Sequence, residues 1–168
     1  MDGKEITLPL MMDCRERRFN IQNELLKKYR KPVISFCMNI PGPIKTNDQI
    51  RAAFLEGKKR LIKSLKKHNY PVLEERDIHE LTGDEWIASI NADAEQVKEL
   101  TMEIENWHPL GRLYDMDVIR TDGEKLSRSR FRKCLICGKQ AQECARSRTH
   151  TVAEMQAAVV KMLSKHSV

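Results

Sequence analysis

A chain of 168 residues, 40% of them hydrophobic, supports one well-packed domain spanning 1–168 and excludes two large ones. A mean hydropathy of −0.56 with 32% charged residues excludes a membrane span, and the apolar patch from Leu8 to Met12 is too short for a secretory signal. Five cysteines, an odd set, fit a reducing compartment where they serve as thiols or metal ligands, so a cytoplasmic location is expected. The net charge of +6 is concentrated between residues 126 and 150, where seven Arg and Lys side chains face the single acid Glu143. Such an excess favours an anionic partner: nucleic acid, a phosphorylated small molecule or an acidic protein.

Residues 13–29 read as an amphipathic helix closed by Pro32. Val33 to Ile40 is apolar on both faces, as in a central buried strand, and Pro41-Gly42-Pro43 stops it. The spacing of Ile50, Ala53, Phe54, Gly57, Leu61 and Leu65 predicts a helix over 48–67 that lies on the sheet. Strands are expected at Pro71 to Ile78 and Glu85 to Asn91, then a helix over 93–105 with Asp93 or Asn91 as its N-cap. A strand follows up to Ile119, which Thr121-Asp122-Gly123-Glu124 turns into a short partner near Lys125 to Ser127. After an irregular basic segment, Thr151-Val152-Ala153-Glu154 forms a capping box for a last helix. This order predicts an α+β domain: a mixed β-sheet with helices packed on one side of it. Neither a G-x-x-x-x-G-K-[ST] nor a G-x-G-x-x-G loop is present, so bound phosphate must be held by metal and arginine.

The segment His108-Pro109-Leu110-Gly111-Arg112-Leu113-Tyr114-Asp115-Met116-Asp117-Val118-Ile119 sets two carboxylates two residues apart in an otherwise apolar strand. Strand alternation puts Asp115 and Asp117 on one face, with Tyr114, Met116 and Val118 on the other. Two like charges so placed repel unless water screens them or a cation lies between, and Mg2+ is the cation suited to one or two carboxylates plus substrate phosphate. A solvated strand edge leading into a turn suits the same spacing. Gly111-Arg112, just before the strand, supplies a flexible turn and a guanidinium for close approach of a polyphosphate.

Cys134, Cys137, Cys144 and His150 form a C-x2-C-x6-C-x5-H pattern with the donor atoms of a tetrahedral Zn2+ site, although the spacing matches no standard finger. The alternative is a set of small buried thiols. Arg146, Arg148 and His150 also stand directly before the last helix, whose N-terminal N–H groups attract anions.

The 108–119 segment resembles the hallmark of the citrate lyase holo-acyl-carrier-protein synthases, also called apo-citrate lyase phosphoribosyl-dephospho-CoA transferases. Asp13-Cys14-Arg15-Glu16-Arg17-Arg18, Pro32 to Phe36, Asn39 to Lys45, Cys134 to Cys137 and Cys144 to His150 resemble further segments of that family, in order and over nearly the whole chain. The resemblance implies a transferase. It would move the prosthetic group from 2'-(5''-triphosphoribosyl)-3'-dephospho-CoA to a serine of the apo acyl carrier subunit of citrate lyase, releasing pyrophosphate. On this reading Asp115 and Asp117 hold Mg2+, Arg112 steadies the triphosphate with Gly111, Arg146, Arg148 and His150 as further substrate contacts, and the serine proton goes to Asp117 or His108. A wider likeness to nucleotidyltransferases leaves the third acid open among Asp77, Asp84 and Glu124. The alternatives are the equivalent synthase for malonate decarboxylase and a Zn2+-containing nucleic-acid-binding module. The latter is poorly served, because only Phe131 is available to stack on bases among those arginines.

Overall fold

One four-stranded sheet is built from β1 (Val33–Met38), β2 (Val72–Glu80), β3 (Gly83–Ile90) and β4 (Tyr114–Ile119), in the order β2-β3-β1-β4, with β1 and β3 buried at its centre. This computed structural model describes residues 1–128 and 130–166. Ser129, within the basic segment, and Ser167 and Val168, at the end of the expected domain, lie outside the described residues.

The expected α+β class holds, but every strand pair is antiparallel rather than mixed. The helix α2 (Asp48–Lys67) carries the chain from β1 to β2, and α3 (Ala94–Trp107) carries it from β3 to β4. Each crossover joins strands of the same direction, yet β3 inserts between β1 and β2, and β1 between β3 and β4. Neighbours are therefore always opposed, the interleaved arrangement of a split β-α-β, ferredoxin-like sheet.

Helices cover both faces, not one. Ile34, Phe36, Trp86, Ala88, Ile90, Met116 and Val118 pack under α2, α3 and the final helix α5 (Val152–His166). The opposite face carries Val33, Ile87 and Ile119, sealed by Leu25 and Leu26 of α1 (Leu8–Tyr29). That second apolar patch explains why β3 is buried along its whole length, since a sheet exposed on one side would alternate in burial. At roughly 25 cal/mol per Å2 of apolar surface, each fully buried leucine or isoleucine there contributes about 1.5–3 kcal/mol.

Local signals set the helix ends. α1 begins with Pro9 in its first turn, a turn earlier than the apolar pattern suggests, and closes where Arg30 adopts a left-handed φ of 53° and donates its N–H to Leu26 O at 2.9 Å. Asn47 caps α2 through Ile50 N–H, and Asp93 caps α3 through Glu95 and Gln96 N–H. Gly57 lets α2 approach the sheet: a Cβ there would fall 2.8 Å from the rings of Phe36 and Tyr114. The capping box of α5 is formed, with Glu154 N–H donating to Thr151 Oγ1 and Thr151 N–H to Glu154 Oε2.

The 121–124 turn reverses the chain with Gly123 at a φ of 89°, but its partner is one bridge, Ile119 to Lys125, rather than a strand. Within the basic segment lies a short helix the sequence pattern left irregular, α4 (Ala141–Arg146).

Candidate functional site

β4 is an edge strand, and its outer edge is satisfied by side chains and loop backbone instead of a fifth strand. Met116 N–H donates to Glu105 Oε1 at 2.8 Å, Leu126 N–H donates to Val118 O at 2.9 Å, and the Arg132 guanidinium donates to Tyr114 O and, at 3.2 Å, to Gly111 O. The segment after β4 thereby folds back across this edge and leaves a cleft of about 1140 Å3 between it and the strand. That volume exceeds the ~300–1,000 Å3 usual for small-molecule sites.

Asp115 and Asp117 both line the cleft, on the sheet face opposite Tyr114 and Met116. Burial, followed by the charge of Asp117, pushes the Asp115 carboxyl above its usual range. Asp117 accepts a hydrogen bond from Lys125 Nζ at 3.0 Å. Opposite Asp115 in the register, Cys37 is half-buried, and its loss of solvation pushes the thiol up to about 12, so it stays protonated and offers no nucleophile.

Arg112, Arg148 and His150 also line the cleft, so two separate segments converge on the carboxylates. Arg112 is held by its Nε–H, which donates to Lys133 O at 2.6 Å. In all, seven Lys and Arg side chains line the cleft against Glu105, Asp115 and Asp117. Glu105 takes Arg128 and, at 3.5 Å, Arg132, while Asp117 takes Lys125. Lys98, Arg112, Arg130 and Arg148 make no ion pair among the described residues, so a surplus of positive charge faces the cavity.

Three expected site residues are placed elsewhere. His108 lines a separate depression with Arg60, Ser64 and Trp107; its Nδ1 accepts Leu110 N–H at 3.1 Å and its Nε2 lies 3.1 Å from Glu56. The turn at Pro109 directs it there, away from the carboxylates. Gly111 is buried with no room for a Cβ, 2.4 Å from Glu105 O, so its smallness serves close packing of α3 on the strand lead-in. Arg146 ends α4 and lies outside the cleft lining.

None of the three candidates for a third acid enters the cleft. Asp77 pairs with Lys58 at 2.6 Å, Asp84 is buried against Arg51 and His79 at 3.0 and 2.7 Å, and Glu124 sits in the turn after β4. The acid that does enter is Glu105, which with Lys98 is buried on α3. Burial raises the Glu105 carboxyl despite the opposing Arg132, Met116 N–H and Arg128. A signal for both residues exists in the sequence: 97/98, 101 and 104/105 repeat at helical spacing, so two charges fall within the buried stripe of α3.

Cys134, Cys137, Cys144 and His150 bring their donor atoms within 4.8 Å of one another. A tight turn after Cys134, with Gly138 N–H donating to Cys134 O and Gly138 at a φ of 72°, presents the first pair; α4 brings Cys144 and the loop after it brings His150. Cys137 Sγ lies 3.4 Å from Cys144 Sγ. His150, ahead of a backbone N–H and Cys144, pulls the Cys137 thiol down to about 6, while the Cys144 thiol is pushed up to about 11 beside Cys137. His150 Nε2 is buried without a hydrogen-bond partner. Four converging donors, one of them an unpartnered buried nitrogen, fit a bound metal ion.

Comparison with known proteins gives the family. The sequence profile of the family described as apo-citrate lyase phosphoribosyl-dephospho-CoA transferase matches residues 6–166. A relative from Citrobacter koseri is 36% identical over 154 residues, covering 89% of this chain and 84% of the relative. Relatives from Shigella boydii serotype 18 and Escherichia coli O157:H7 are each 35% identical with the same coverage. All three carry the family's name. The chain belongs to the apo-citrate lyase phosphoribosyl-dephospho-CoA transferase family.

Proposed function

We propose that this chain transfers the phosphoribosyl-dephospho-CoA group from its triphosphoribosyl precursor to a serine of the apo acyl carrier subunit of citrate lyase, by nucleotidyltransferase-type chemistry in the reducing cytoplasm. The observation that carries this reading is the cleft itself, in which the paired carboxylates Asp115 and Asp117 face unpaired arginines across a space large enough for a nucleotide-sized anion. The relatives are named for citrate lyase, and nothing among them favours malonate decarboxylase. Basic charge without an array of aromatic side chains gives nucleic acid no stacking platform.

The serine oxygen forms a bond to the innermost phosphorus of the triphosphate, the bond from that phosphorus to the pyrophosphate oxygen breaks, and the serine proton is released. Asp115 and Asp117 would hold Mg2+, which neutralises charge on the phosphate oxygens when bound. Arg112, anchored by Lys133 O, presents the free end of its guanidinium to the triphosphate. Arg148, on the turn before α5, takes the outer phosphates, and His150 stays with the thiols. Asp117, about a third exposed, is the carboxylate accessible to the serine proton.

The Cys134, Cys137, Cys144 and His150 cluster would bind Zn2+, a tetrahedral ion suited to three thiolates and one imidazole. Because Lys133 directly precedes Cys134, this ion would fasten the carbonyl that orients Arg112.

Intact-mass measurement of apo carrier subunit, incubated with this chain, Mg2+ and the triphosphoribosyl donor, tests the reading. A mass gain matching the prosthetic group with one pyrophosphate per transfer is expected. An unmodified carrier would overturn it.

A further inference from the structure

The contacts of α3 with β4 locate one residue of the cleft with unusual clarity. Glu105 meets Met116 N–H, and Glu95 meets Arg120 at 3.4 Å, so α3 runs back along the free edge of β4. Lys98 lies one turn after Glu95 and two turns before Glu105, on the same helix face. It is therefore level with the stretch between Met116 and Arg120, where Asp117 stands.

Lys98 is only 6% exposed, yet it lines the cleft. Its ammonium makes no hydrogen bond or ion pair among the described residues. The neighbouring acids are engaged otherwise: Glu105 with Met116 N–H, Arg128 and Arg132, and Asp117 with Lys125. Burial pulls the Lys98 ammonium below the ordinary lysine range; Glu105, Asp117 and Asp115 oppose that through space, and Arg128 adds to it. A lysine buried for structure alone is paired, because an unpaired buried charge opposes folding. A cation left unpaired, nine-tenths buried and facing an anion-sized cavity is poised for a charge that arrives with the ligand.

We infer that Lys98 is a substrate-contacting residue whose ammonium binds a non-bridging oxygen of the donor's phosphate chain beside Asp115 and Asp117, and binds it most strongly as charge gathers there during attack. This rests on the reading of the cleft as the site of phosphoryl attack. It assigns to α3 a part in catalysis that the strand and the basic segment do not supply. A preorganised donor in a water-poor site contributes more to the transition state than to ground-state binding.

The test compares Lys98→Met, which keeps chain length and suits burial, with Lys98→Arg and with Lys66→Met on the exposed end of α2 as a control. Lys98→Met is expected to melt at or above the wild-type temperature, to lower kcat on the order of 100-fold with a smaller change in KM for the donor, and to be partly rescued by Lys98→Arg. Calorimetry with inorganic tripolyphosphate and Mg2+ reads the contact without turnover, and a roughly tenfold weaker affinity in Lys98→Met alone is expected. Wild-type kcat and wild-type tripolyphosphate affinity in Lys98→Met would overturn the inference, as would a loss of activity that only tracks a lower melting temperature. Lys98-dependent tripolyphosphate binding by a wild-type chain that leaves the apo carrier unmodified would support the contact while overturning the transfer reading.

Discussion

The carboxylate of Glu105 accepts the backbone N–H of Met116 at 2.8 Å while also holding Arg128, so one buried side chain caps the edge strand and anchors the segment that roofs the cleft. An open strand edge invites pairing with another chain. Here α3 closes it beside the two carboxylates of β4.

Glu105→Ala should therefore destabilise the fold by about 1–3 kcal/mol, because the Met116 N–H is left buried without an acceptor. Glu105→Gln keeps an acceptor but not the charge, so it should retain most stability while loosening Arg128. Chemical denaturation of both variants checks this; equal stability of Glu105→Ala and wild type would contradict it.

Asp115→Asn and Asp117→Asn should fold and lose Mg2+-dependent transfer on the order of 100-fold or more. Their stability carries a second signature. Burial and Asp117 raise the Asp115 carboxyl, so its ionised form opposes folding at neutral pH. Asp115→Asn should then be the more stable protein at pH 7, and its advantage should fade as the pH falls through the raised value and vanish below about 3.9, where the wild-type carboxyl is protonated folded or unfolded. Wild-type turnover in either variant would refute the metal assignment.

Stoichiometric Zn2+ is expected in protein purified without chelators, measured by elemental analysis, and Cys137→Ser should lower its retention. Removing the ion should raise amide hydrogen exchange in the segment from Arg132 to Thr151 and weaken donor binding, because Lys133 O would no longer be fixed for Arg112. Metal-free protein at full thiol reduction with unchanged exchange would contradict the site.

His108→Asn should leave turnover near wild type, since the imidazole lies outside the cleft and asparagine can still accept Leu110 N–H. Burial lowers the His108 pKa against the pull of Glu56. A lowered folded value means the unfolded chain binds the proton more readily, so wild-type stability should fall as the pH drops through about 6.5 toward the folded value. The asparagine variant should lose less over that window in thermal melts. A large loss of kcat in His108→Asn would restore the imidazole to the chemistry.

Much of this site was legible residue by residue. The period of two in a strand placed Asp115 and Asp117 on one face, the C-x2-C-x6-C-x5-H pattern grouped four residues able to hold a metal, and Thr151-x-x-Glu154 marked the start of α5, because each depends on neighbours a few residues away. The placement of His108 was not legible for the same reason: proximity in sequence to the carboxylates said nothing of the direction taken at Pro109, which sets the imidazole in a separate depression.

The sequence by itself determined the four strands, the helices α1, α2, α3 and α5, the shared face of the two carboxylates and, through resemblance over nearly the whole chain, the family. Only the tertiary structure decided that β3 and β1 interleave two crossovers into an all-antiparallel sheet, that α1 seals its second face, and that α3 brings Glu105 to the edge of β4 and Lys98 into the cleft. The physical reason is that helical and strand periods are local properties of the backbone, whereas the edge a helix face meets is settled by packing between segments far apart in the chain.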